Sequence, residues 1–156
     1  MKYKKVLFVC GGNQCRSPIA AAILKDILSK ETEISSAGIE VKSAGTNYGI
    51  DGAPAIDDAI SVTKKFGLDI GSHKAQRINQ KLINWADIIL LMENEQKEFV
   101  TQYFQDVKEK AFLLTEFIGG KGDIIAPVED EINTYIDFIR FLKSLLDDVV
   151  EVMKRK

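Results

Sequence analysis

The sequence predicts an α/β fold: a four-stranded parallel sheet with helices on both faces, in three layers. Three observations predict it. Residues 5–9 (Lys-Val-Leu-Phe-Val) and 87–92 (Asp-Ile-Ile-Leu-Leu-Met) are continuously apolar rather than alternating, as strands buried on both faces are. Segments with apolar residues at helical spacing follow the strand-like runs, and such alternation implies parallel pairing. The chain has 156 residues, which suits a single domain spanning 1–156 with one sizeable core.

The elements follow in order. The first strand runs to Cys10 and is broken by Gly11-Gly12-Asn13. A helix starts near Ser17-Pro18, where proline suits a first turn, and carries a stripe of Ile19, Ile23, Ile27 and Leu28. Ile39-Glu40-Val41 reads as a second short strand. A glycine-rich loop spans residues 43–52, and Pro54 opens a helix running to about Phe66. Residues 87–92 form the third strand, with Trp85 as core just before it and a helix from Glu93. Residues 110–114 make a weaker fourth strand. The last helix is the clearest: Ile132, Tyr135, Ile136, Ile139, Leu142, Leu146, Val149, Val150 and Met153 recur at helical spacing. Ser-Ala-Gly occurs twice, at Ser36 and Ser43, a local echo rather than a repeat.

Composition excludes several classes. Lysine and arginine total 21 against 23 aspartates and glutamates, a formal charge of −2, which is no nucleic-acid footprint. No apolar run approaches the roughly 20 residues that span a bilayer. The basic, then apolar, start is too short for a secretory segment, so no membrane partner and a cytoplasmic location are expected. Two cysteines, Cys10 and Cys15, are too few for a disulfide scaffold. With His73 the only histidine, they make a poor zinc set, so neither metal nor cofactor is expected.

The chemistry concentrates where the first strand ends. Ligands of such sheets bind beyond the carboxyl ends of strands, and this end reads Cys10-Gly11-Gly12-Asn13-Gln14-Cys15-Arg16-Ser17-Pro18. Glycines let backbone N–H groups turn inward as an anion nest. The helix N-terminus adds donors and partial positive charge. Arg16 offers a planar fork for two phosphate oxygens. The same field favours a thiolate at Cys10, and a thiolate beneath a bound phosphate is a nucleophile in position. Residues 11–17 are therefore the expected phosphate cradle, with Cys10 and Arg16 catalytic.

The string resembles the loop of the low-molecular-weight protein tyrosine phosphatases, V-C-x-G-N-x-C-R-S-P, at every fixed position. The resemblance extends along nearly the whole chain, through Ser43-Ala44-Gly45-Thr46, Gly52-Ala53-Pro54-Ala55, Ile70-Gly71-Ser72-His73 and the stretch from Ala86-Asp87 to Met92-Glu93. It implies the fold already read, attack of Cys10 on phosphorus, a phosphocysteine intermediate and hydrolysis by water. It further implies a loop held by side chains at Asn13, Ser17, Ser43 and His73. The partners it implies are a phosphorylated protein or peptide, phosphotyrosine before phosphoarginine, and inorganic phosphate as product and inhibitor.

Two regions depart from that pattern. The family's general acid comes from an Asp-Pro pair. Here Pro127 is preceded by Ala126, and Val128, Glu129 and Asp130 replace the aromatic and glycines that follow. Asp123, Glu129 and Asp130 are the candidates to replace the acid, against a reading of all three as solvated loop carboxylates. The substrate rim is unusual as well. Gly11 stands where tyrosine-specific members carry a larger apolar residue and arginine phosphatases a threonine. Tyr48 and Val128 are the other candidate rim residues. A catalytically weak phosphoprotein-binding relative is the competing reading. Arsenate reduction, which passes a disulfide to further downstream cysteines, is disfavoured because none follows Cys15.

Overall fold

The structure, a computed structural model, describes residues 2–31 and 38–156. Four parallel strands form one sheet in the order β2-β1-β3-β4, with β1 Lys5–Cys10, β2 Glu40–Gly45, β3 Ile88–Leu91 and β4 Ala111–Leu113. The helices are α1 Arg16–Lys30, α2 Asp57–Lys65, α3 Gln80–Trp85, α4 Asn94–Tyr103, the single turn α5 Leu114–Phe117, and α6 Ile132–Arg155.

The continuous apolar runs have the expected cause. In a strand, successive side chains face opposite sides of the sheet. Val6, Phe8, Ile88, Leu90 and Met92 pack with α1, α2 and α6 on one face. Leu7, Val9, Ile89 and Leu91 pack with Ile83 of α3 and Val100 of α4 on the other. Helix α6 contributes most to the first core, burying Tyr135, Phe138, Ile139, Leu142, Leu146, Val149, Val150 and Met153. At roughly 1.5–3 kcal/mol for each large apolar side chain, this face anchors the C-terminal third of the chain.

Several boundaries differ from the expectation. Strand β2 runs through Ser43-Ala44-Gly45, residues that look like loop punctuation. Their pairing with Phe8, Val9 and Cys10 of β1 makes them strand residues. Pro54 does not open a helix. It forms an isolated bridge to Lys74, flanked by Ala75 N–H donating to the Ala53 carbonyl, and α2 starts only at Asp57. Trp85 is half-buried at the end of α3, with the Lys42 ammonium 4.4 Å from its ring centroid. Ile132 is partly exposed, and Phe138 takes its place in the buried stripe. The first Ser-Ala-Gly, at Ser36, begins outside the described residues.

The strand order places the string of residues 10–18. The chain leaves β1 to one side for β2, then returns to β3 on the other side. The carboxyl ends of β1 and β3 therefore flank the switch point where such sheets bind ligands.

Candidate active site

Cys10 closes β1, and residues 11–15 turn back into α1, whose first residue is Arg16. The turn requires a left-handed residue at Asn13, with φ 53°. Asparagine tolerates that conformation better than most residues, and its side chain anchors it. Asn13 Nδ2 donates to Ser17 Oγ at 2.8 Å and to Ser43 Oγ at 2.9 Å, while Oδ1 accepts from the Gln76 N–H at 2.9 Å. His73 Nε2 lies 2.6 Å from the Asn13 carbonyl oxygen. Asn13 and Ser17 are fully buried. Among the described residues, no buried side-chain nitrogen or oxygen lacks a partner.

The four residues expected to support the loop are thus brought together. Gln76 is a fifth that the sequence did not reveal: its N–H holds Asn13, and its Nε2 donates to the Ser43 carbonyl at 3.0 Å. The only signal for it was its place three residues after His73. Gly45 completes the frame. A Cβ there would lie 2.6 Å from the Gly11 carbonyl oxygen and 2.7 Å from Ile50 Cδ1, so the end of β2 approaches the loop as only glycine permits.

Cys10 sits at the foot of the loop, 2% exposed. Its Sγ accepts from the Asn13 N–H at 3.2 Å and lies 3.0 Å from Ser17 Oγ. Two hydrogen-bond donors are therefore available to a thiolate. At the start of α1, the N–H groups of Arg16 and Ser17 have no partner within the helix, as at any helix N-terminus. Arg16 Nη1 donates to Glu93 Oε1 at 2.7 Å and to the Ile124 carbonyl at 2.8 Å, which fixes the guanidinium beside the loop. Glu93 is in turn fixed as the N-cap of α4 by its reciprocal bonding with Gln96.

Cys15 plays a different part from the outward-facing members of the loop. It is buried in the same core as Tyr135 of α6. Burial, and then the neighbouring Cys10, push the thiol up to about 12, against the pull of Arg16 and Tyr135. Tyr135 is likewise pushed up to about 12, chiefly by burial and then by the charges of Cys15, Asp58 and Glu129. Gln14 spends its side chain on the Pro54 carbonyl, pinning the loop to the segment before α2.

A cleft opens beside the loop, lined by Gly11, Arg16, Asn47, Tyr48, Glu93 and Phe99 among others. A Cβ on Gly11 would meet the Asn47 amide at 3.4 Å, so glycine leaves this mouth open beside Asn47. Tyr48 lines this cleft and is 83% exposed. Val128 is not among the lining residues; it is half-exposed, with its N–H donating to Thr134 Oγ1. None of the three candidate acids lines the cleft. Asp123 Oδ1 accepts the first N–H of α4, at Asn94. Asp130, left-handed at φ 65°, donates its N–H to Asp58, and Glu129 is exposed beside it. The carboxylates that do line the cleft are Glu93 and Glu95. Among the described residues, no cluster of three or more His, Cys, Asp or Glu side chains could hold a metal ion.

Residues 5–156 match the sequence model of the family described as low molecular weight phosphotyrosine protein phosphatase. A protein-arginine-phosphatase of Geobacillus stearothermophilus is 34% identical over 96% of each chain. A probable low molecular weight protein-tyrosine-phosphatase of Ralstonia solanacearum is 33% identical over 92% of each. Among solved structures, the arginine phosphatase of Geobacillus stearothermophilus superposes with a TM-score of 0.84 at 33% identity, covering 97% of this chain and 93% of that one. The low molecular weight protein tyrosine phosphatase of T. tengcongensis gives 0.78 at 28%, covering 94% and 97%.

Proposed function

The chain belongs to the low-molecular-weight phosphotyrosine protein phosphatase family, and from that premise we propose that it is a cysteine-dependent phosphatase of phosphorylated proteins in the cytoplasm. The observation that carries this reading is Cys10 Sγ beneath the turn, with the Ser17 hydroxyl at 3.0 Å and the Asn13 N–H at 3.2 Å, and Arg16 fixed at the adjoining helix N-terminus.

In the proposed reaction, the phosphate dianion settles on the loop N–H groups and the fork of Arg16. The Cys10 thiolate attacks phosphorus in line, the S–P bond forms and the P–O bond to the leaving group breaks. Arg16 and the N–H groups stabilise the equatorial oxygens through the transition state. Water then attacks phosphocysteine, releasing inorganic phosphate and returning the thiolate, which Ser17 and Asn13 stabilise as a leaving group. With Ala126 in the acid's place and Asp123, Glu129 and Asp130 outside the cleft, the first leaving group departs as an anion. Loss of a general acid lowers rates by about 10²–10⁴. The effect is largest for a phenol such as tyrosine, whose pKa is about 10.

Tyr48 on the rim supports an aryl phosphate, phosphotyrosine, as substrate. A second reading, phosphoarginine, has one specific observation in its favour. The relatives from Geobacillus stearothermophilus and Bacillus subtilis, 34% and 28% identical, are both named as protein-arginine-phosphatases.

The deciding experiment compares turnover of a phosphotyrosine peptide, phosphoarginine protein and nitrophenyl phosphate. Cys10→Ser should abolish turnover while keeping oxyanion binding. Arg16→Lys should lose both, because an ammonium cannot reproduce the fork. Undiminished turnover in Cys10→Ser ends the covalent reading. Phosphate binding without turnover in the parent chain makes the protein a binding module.

A further inference from the structure

The two aromatic sides of the cleft come from different parts of the chain. Tyr48 lies on the segment after β2, Phe99 lies on α4, and both line the opening beside Gly11 and Arg16. One guanidinium lies over both rings. Arg77 Cζ lies 3.7 Å from the Tyr48 ring centroid and 5.8 Å from that of Phe99, within the range of cation–π attraction. Arg77 is itself held in place. Its N–H donates to Asp51 Oδ1 at 2.9 Å, its Nε donates to the Thr46 carbonyl at 3.4 Å, and its backbone bridges Gly45. The Tyr48 segment is tied to the phosphate loop as well: Thr46 and Asn47 donate their N–H groups to the Cys10 and Gly11 carbonyls, each at 3.0 Å.

These contacts explain how a ring that is 83% exposed can act as a wall. An unsupported surface tyrosine would exchange rotamers, and a substrate stacking on it would lose affinity by ordering it. We propose that Arg77 is a positioning residue that holds Tyr48 and Phe99 as paired aromatic walls and so selects aryl phosphates. The proposal rests on the phosphate-ester reading above and deepens it. A cation already seated on Tyr48 draws the ring's π density toward itself. The ring is then a poorer partner for a second cation, such as the guanidino group of phosphoarginine, than for a neutral aryl ring.

The test separates phosphate from aryl recognition in the intact chain, using inorganic phosphate and phenylphosphonate as probes in calorimetric titrations. Arg77→Ala should weaken phenylphosphonate by ~3–10-fold, the scale of one aromatic pair, and leave inorganic phosphate within about two-fold on that scale. KM for nitrophenyl phosphate should rise with kcat little changed. Tyr48→Ala, at a surface position that does not threaten folding, should give the same loss. The double variant should lose less than the sum of the two single losses, because both act in part through the Arg77–Tyr48 contact. Equal weakening of phosphate and phenylphosphonate would overturn the proposal by making Arg77 a support of the phosphate loop. Additive losses, or no loss, would also overturn it. A parent chain that binds neither probe would overturn the phosphate-site reading together with this one. A parent that binds phosphate but gains nothing from the phenyl group would overturn this one alone.

Discussion

Replacing Asn13 should reverse the usual ranking of alanine and glycine. Either substitution removes three buried side-chain hydrogen bonds, to Ser17, Ser43 and the Gln76 N–H. At about 1 kcal/mol net for each, the common loss is on the order of 3 kcal/mol, a large part of a stability that is typically about 5–15 kcal/mol. The two substitutions then diverge. At φ 53° an alanine carries the left-handed penalty of roughly 1–2 kcal/mol. Glycine escapes it, and gives back only about 0.5–1 kcal/mol through its greater freedom in the unfolded chain. Asn13→Gly should therefore be the more stable of the two by ~0.5–1 kcal/mol. Asn13→Asp keeps the acceptor for Gln76 but puts a fully buried carboxylate beside Cys10, so its stability should fall as that carboxylate ionises. Urea midpoints at unchanged slope measure all three. Affinity for inorganic phosphate should fall for alanine and glycine, since the turn that presents the N–H groups is no longer held. If alanine is as stable as glycine, or costs less than about 1 kcal/mol against the parent, the side chain does not hold the turn and the reasoning fails.

Other outcomes follow from the same geometry. Mild peroxide should oxidise Cys10 to the sulfenic acid, which Cys15 then attacks to give a reversible disulfide with loss of water; because Cys15 is pushed up to about 12, that second step should quicken as pH rises. Mass spectrometry showing sulfinic Cys10 with Cys15 still free would contradict this. The folded chain keeps protons on Cys15 and Tyr135 that the unfolded chain releases near pH 9 and 10. Stability should therefore decline as pH climbs from 9 toward about 12. Tyr135→Phe should make that decline shallower in denaturation series, and an unchanged slope would remove Tyr135 from the account. Ala126→Asp should raise turnover of poor leaving groups by up to ~10²-fold and leave nitrophenyl phosphate nearly unaffected. A parent chain whose rates are flat across leaving groups would show that the acid is not missing. Gly45→Ala should weaken phosphate binding in titration, because its Cβ would press on the Gly11 carbonyl at 2.6 Å. Unaltered affinity would mean that β2 yields instead.

Local features were the legible ones. The string of residues 10–18 is contiguous, so Cys10, Arg16 and the turn between them are legible directly, and α6 announces itself through 24 residues of helical spacing. Helix α3 went unread because six residues make too few turns to show a period. The far part of β2 went unread because serine, alanine and glycine signal loops when taken alone. They become strand residues only through their pairing with Phe8, Val9 and Cys10 of β1. Gln76, Arg77 and Phe99 were invisible for another reason. Each reaches the site through a partner more than 20 residues away, and only Gln76, three residues after His73, carries any local mark. Asp123, Glu129 and Asp130 are near Ala126 in sequence, and what sequence proximity does not reveal is their partners: Asp123 accepts the Asn94 N–H, the Asp130 N–H donates to Asp58, and Glu129 is exposed.

The pairing of Arg16 with Glu93 and the Ile124 carbonyl has a kinetic consequence. An arginine side chain carries about 2 kcal/mol of rotamer entropy, and here most of that freedom is lost during folding rather than at ligand capture. The saving at capture corresponds to roughly 30-fold in dissociation constant. Glu93 also cancels much of the long-range field of Arg16, and Glu95 stands beside it in a chain of net charge −2. A phosphoprotein is therefore not steered to the mouth from afar. Encounter should proceed at the ordinary rate of unsteered docking, roughly 10⁵–10⁶ M⁻¹s⁻¹, and it should quicken rather than slow as added salt screens the acidic rim. The site gains its hold from short-range order once contact is made, which suits a catalyst meeting phosphate groups in a solution crowded with other anions.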